Sequence, residues 1–64
     1  MIQEHDCVML LTVVVADRVR IPVGTVGTVV GVYEGGRGYA IELEPPSGNP
    51  VVATLPAHQV KLAR

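Results

Sequence analysis

Gly24-Thr25-Val26-Gly27-Thr28-Val29-Val30-Gly31-Val32-Tyr33-Glu34-Gly35-Gly36-Arg37-Gly38-Tyr39-Ala40-Ile41-Glu42-Leu43-Glu44 is the stretch that decides the fold of this chain. Valine, isoleucine, threonine and tyrosine crowd its two arms, residues 25–33 and 39–44, and glycine crowds the middle, so it reads as a β-hairpin. The loop over residues 34–38 supplies the positive φ angles a tight reversal needs. Tyr33 and Tyr39 flank it and are expected to face each other across the strands. Alternation in the second arm turns Tyr39, Ile41 and Leu43 to the core and Ala40, Glu42 and Glu44 to solvent. In the first arm Thr28, Val30 and Val32 share one face and Val29, Gly31 and Tyr33 the other, unless a bulge near Gly31 shifts the parity.

Working outward toward the start, residues 1–6 form a polar lead-in to a first strand, Cys7-Val8-Met9-Leu10-Leu11. Its unbroken apolarity predicts burial on both faces, or one face in the core and one against a partner. Residues 12–23 are broken by Asp17-Arg18 and Pro22 and read as a long, folded-back connection. Toward the end, Pro45-Pro46-Ser47-Gly48-Asn49-Pro50 is a turn. Val51-Val52-Ala53-Thr54-Leu55 is a strand stopped by Pro56. Ala57-His58-Gln59 has room for one helical turn, and Val60-Lys61-Leu62-Ala63 is a last strand with Val60 and Leu62 inward. The expected fold is all-β: residues 1–64 as a single domain, a small five-stranded, partly open barrel of the Src-homology-3-like kind with one short helical turn before the last strand.

The chain has 64 residues, 48% of them hydrophobic, without tryptophan or phenylalanine, so its core is aliphatic. At this size a single core only just offsets chain entropy, and a partner chain or self-assembly is a natural aid. Five basic and six acidic residues are scattered to a net charge of −1, which creates no field favouring nucleic acid or an acidic membrane. The lone Cys7 has no internal disulfide partner, and a reducing cytoplasm is the expected setting. The apolar run 7–16 reads as strand and loop: the preceding Gln3-Glu4-His5-Asp6 is acidic where a secretion signal is basic, and the run is too short to span a bilayer.

The opening Met1-Ile2-Gln3-Glu4-His5-Asp6, the block 24–33, the arm Tyr39-Ala40-Ile41-Glu42-Leu43 and the ending from Ala53-Thr54-Leu55 to Val60 resemble a family of short bacterial proteins catalogued as domain of unknown function 4926. The glycine–valine block is also similar to the KOW modules of ribosomal proteins and transcription factors. The family resemblance implies the small barrel, a bacterial cytoplasmic setting and, in some genomes, a neighbouring gene in what looks like a toxin–antitoxin arrangement. It implies no catalytic residue. The chain departs from the family pattern at Val13-Val14-Val15, where the family is usually shorter and acidic.

His5-Asp6-Cys7 holds three metal-ligating residue types, but neighbours on a strand point to alternate faces and no second cluster follows at a ligand spacing. No metal and no cofactor are expected; His5 is read as solvated, Asp6 as fixing a local turn and Cys7 as a small packed hydrophobe. A nucleophilic Cys7 needs a base, and His58 is the candidate left for that role. The Gly35-Gly36-Arg37-Gly38 loop lacks the following helix and the lysine–serine or lysine–threonine pair of a phosphate loop. Glu42 and Glu44 lie on the predicted solvent face, where no burial tunes a carboxyl for acid–base work. No catalytic residue is assigned.

Protein binding fits the residues best. Val13, Val14 and Val15 either form an exposed apolar patch, the mark of an interface, or alternate and cover an open end of the barrel. With Arg18, Arg20, Tyr33 and Arg37 they make up the expected partner-binding set. The partner is another protein, such as the product of a neighbouring gene, or a second copy of the chain. The alternatives are a nucleic-acid-binding barrel using Tyr33 and Arg37 as a stacking platform, and a non-catalytic subunit of a larger enzyme.

Overall fold

The structure, a computed structural model, describes residues 1–46 and 48–63; Ser47, within the turn expected at 45–50, and Arg64 lie outside them. The five expected strands are present: β1 (Cys7–Leu10), β4 (Val26–Tyr33), β5 (Gly38–Leu43), β6 (Val51–Pro56) and β7 (Val60–Leu62). They form one antiparallel sheet in the order β6-β5-β4-β1-β7. The single turn before β7 is a 3-10 turn, Ala57–Gln59. Among the described residues no helix is long and apolar enough to cross a membrane.

The segment expected as a loop holds two further strands, β2 (Val14–Ala16) and β3 (Val19–Ile21), paired as a separate ribbon. Asp17 and Arg18, read as strand breakers, are its reversal: both have positive φ, 51° and 63°, the requirement of a two-residue turn that follows the strand twist. The usual Asn-Gly or Asp-Gly signal is missing, so the sequence concealed the hairpin. The ribbon turns Val14 and Ile21, opposite each other in register, into the core. A sheet with one apolar face needs a second layer, and the ribbon contributes to it.

Val8, Leu10, Val14, Ile21, Val29, Tyr39, Ile41, Leu43, Leu55 and Val60 form the core, aliphatic but for one tyrosine. Of the two arrangements expected for β1, burial on both faces is not the one found: Val8 and Leu10 are buried, Met9 half-buried and Cys7 exposed, so one face only is core. Tyr39, Ile41 and Leu43 face inward as expected, and Glu42 and Glu44 outward. Ala40, on the outward side, is nevertheless buried.

The bulge is present. Pairing steps from Val29 opposite Ile41 to Gly31 opposite Ala40, leaving Val30 as the extra residue. It splits the expected faces, so that Val32 comes to lie opposite inward-facing Tyr39. It also parts the tyrosines. Tyr33 pairs with Gly38 and is half exposed, while Tyr39 is buried, so the two do not face each other. The lead-in is bonded to β4 beside the bulge: the His5 amide donates to the Val29 carbonyl (2.8 Å) and the Val29 amide to the Asp6 carbonyl (2.9 Å). Asp6 fixes a turn as expected, its carboxylate accepting from the Gln3 amide at 2.8 Å.

Candidate functional site

The reversal between β4 and β5 occupies Glu34-Gly35-Gly36-Arg37. The Gly36 and Arg37 amides both donate to the Tyr33 carbonyl (3.0 and 3.1 Å), and the Ala57 amide donates to the Arg37 carbonyl (2.8 Å). The tip is thereby tied to the start of the 3-10 turn. Because Arg37 and Ala57 form a bonded pair, alternation along the ladder turns the nitrogen of Pro56, opposite Gly38, toward the open edge of β6. There its missing N–H costs no ladder bond.

Between this tip and the end of β6 lies an open groove of about 550 Å³ lined by Tyr33, Glu34, Arg37, Gly38, Thr54, Leu55 and Pro56. The Tyr33 ring leans back over Gly31: a Cβ built there would stand 3.5 Å from the phenol oxygen and 3.5 Å from the Ala40 methyl. An aromatic ring, a proline, a hydroxyl, one guanidinium and one carboxylate suit an extended chain carrying apolar side chains better than a small charged ligand.

The ribbon divides the three valines. Val14 is 6% exposed and belongs to the core, whereas Val13 and Val15 stand outside, Val15 at 69%. Val15 faces Arg20 across the ribbon, so the two share its outward side, and Arg18 sits at the reversal. Val15, Arg18 and Arg20 are thus gathered on the ribbon, with Val13 just ahead of it, and Tyr33 and Arg37 on the β4–β5 hairpin. β2 lies against β6, the strand whose Thr54 and Pro56 wall the groove.

A second groove of about 450 Å³ lies on the outward side of β4 and β5, between Val26, Gly27, Thr28, Glu42 and Glu44. Neither it nor the contribution of Thr54 and Pro56 was visible in the sequence. The pairings that build them, Gly38 with Pro56 and Thr28 with Glu42, join residues far apart in the chain.

Cys7 is exposed, which corrects its reading as a packed hydrophobe. His58 lies beyond the Leu11 end of β1, where the Leu11 amide donates to the Gln59 carbonyl. That is five strand positions from Cys7, roughly 16 Å at the rise of an extended chain, so the two do not form a nucleophile–base pair. His5 is solvated, its imidazole 3.6 Å from the Glu4 carboxylate. Among the described residues no three of His, Cys, Asp and Glu gather where they would hold a metal. Compared with known proteins, the chain matches no family model, no curated protein and no solved structure.

Proposed function

We propose that this chain is a non-catalytic protein-binding module, folded as a small, partly open Src-homology-3-like barrel. The order β6-β5-β4-β1-β7, the single core and the 3-10 turn ahead of β7 support the barrel. The observation that carries the function is the ribbon's asymmetry. Its inner face is core, yet its outer face presents Val15 to solvent beside two arginines, with Val13 exposed just ahead of it. An apolar patch left exposed beside arginine, a residue enriched at interfaces, is the mark of a contact surface. The tip groove, with half-exposed Tyr33 beside Arg37, is the second contact. A sharper form, resting on the sequence resemblance, makes the chain the neutralising or accessory half of a two-gene bacterial system.

Co-purification with the product of the neighbouring gene tests this. Wild type should retain that protein, and Val15→Asp and Tyr33→Ala should each weaken retention while the fold is kept. Unchanged retention by both variants would remove the two surfaces from consideration. The nucleic-acid reading is favoured by Tyr33 and Arg37 lining one groove. Oligonucleotide binding that falls steeply with salt and is lost in Arg37→Ala would put it first.

A further inference from the structure

Building on the protein-binding reading, we infer that the outward face of the β2–β3 ribbon docks on the outer β4–β5 groove of a second copy of this chain. The two surfaces match in apolar content and oppose in charge. On the ribbon, Val15 and Arg20 stand side by side, and Val13, also exposed, lies two residues before Val15 just ahead of β2. Arg18 projects at the reversal, held at positive φ where glycine would be less costly but would carry no cation. Asp17 offsets one of the two arginines, and the ribbon remains net basic.

On the groove, Thr28 and Glu42 are opposite each other, Val26 lies two residues before Thr28, and Glu44 two after Glu42. Val26 is half exposed and both glutamates are exposed. The lysine on this side of the sheet, Lys61, is two strands from Val26, beyond Met9. Among the described residues the one contact of ion-pair length joins the His5 imidazole to Glu4, so these arginines and glutamates have no charged partner among those residues.

A net charge of −1 lets two copies approach almost without repulsion. Valine against valine then supplies the non-directional attraction, and arginine against glutamate sets orientation and register. A standard interface removes roughly 800 Å² from each partner, a large share of a molecule exposing 4210 Å². One ribbon in one groove covers less, so a single contact is weak; a two-fold pair, in which each ribbon fills the other's groove, engages both at once.

Sedimentation velocity on the full chain, from roughly 10 μM to 1 mM, tests the contact in a range that captures weak interfaces. Wild type is expected to associate, and less at about 500 mM salt than at about 20 mM. The double reversals R18E/R20E and E42R/E44R should each lower the association constant by about tenfold or more, and an equimolar mixture of the two should restore it. Wild-type circular dichroism in both variants excludes a folding defect, and V15S supplies a charge-neutral check that should also weaken assembly. A wild type that stays monomeric throughout overturns the inference, as does assembly unaffected by the reversals or a mixture that fails to recover. A monomeric result leaves the protein-binding reading standing, because that reading is judged by retention of a different protein.

Discussion

Gly27 and Leu43 face each other across β4 and β5 with no room for a methyl group between them. A Cβ built on Gly27 would lie 2.8 Å from a Leu43 methyl and 2.7 Å from both the Glu42 carbonyl oxygen and an Ile41 methyl. Backbone and fully buried side chains cannot yield cheaply. Gly27→Ala is therefore expected to destabilise the fold by about 2–3 kcal/mol, the upper part of the overpacking range. A fall of roughly 10 °C or more in the thermal midpoint, followed by circular dichroism, is the expected reading; a midpoint within error of wild type would show that the strands are not so close.

Val14 and Val15 are neighbours with opposite surroundings. Val14→Glu places an unpaired charge among Leu55, Ile21 and the other core residues and should cost about 3 kcal/mol or more, a large part of the stability of a domain this small. Val15→Glu should stay within about 0.5 kcal/mol of wild type, as exposed sites do. Urea denaturation of the pair measures both, and equal effects would mean that the ribbon does not alternate.

Arg18 sits in the left-handed region at φ 63°. Arg18→Gly relieves that conformation and should raise stability by about 0.5–1 kcal/mol despite the greater freedom glycine has when unfolded. The same substitution removes a cation from the ribbon, so a higher melting temperature should accompany weaker self-association. Lower stability would argue against the positive φ.

Cys7 is exposed on the outward side of β1. A thiol reagent should modify it fully in the native protein without denaturant, at a rate near that of the unfolded chain. Cys7→Ser should change stability by less than about 0.5 kcal/mol. Protection of the thiol in the dilute, monomeric protein would place it in the core after all.

Strand identities were legible wherever the chain alternates over a long enough run. Tyr39-Ala40-Ile41-Glu42-Leu43 named its own core face, and the residues from Pro56 to Val60 announced the break before the last strand. The ribbon was not legible. Its arms are three residues each, and its Asp17-Arg18 reversal lacks the glycine that normally marks such a turn. Cys7 and Tyr33 were misplaced for a related reason. Burial of a strand residue depends on which neighbour covers its side of the sheet, and the bulge at Val30 reset the parity.

By itself the sequence determined an all-β chain with an aliphatic core and a glycine-punctuated central hairpin, because side-chain alternation and turn chemistry act over a few residues. Tertiary structure alone decided which valine of Val13-Val14-Val15 is core, that Thr54 and Pro56 wall a groove with Tyr33, and that Glu42 and Glu44 share a groove with Val26. Those outcomes follow from strand order and register, which are set by how the whole sheet buries its apolar face and not by any local stretch.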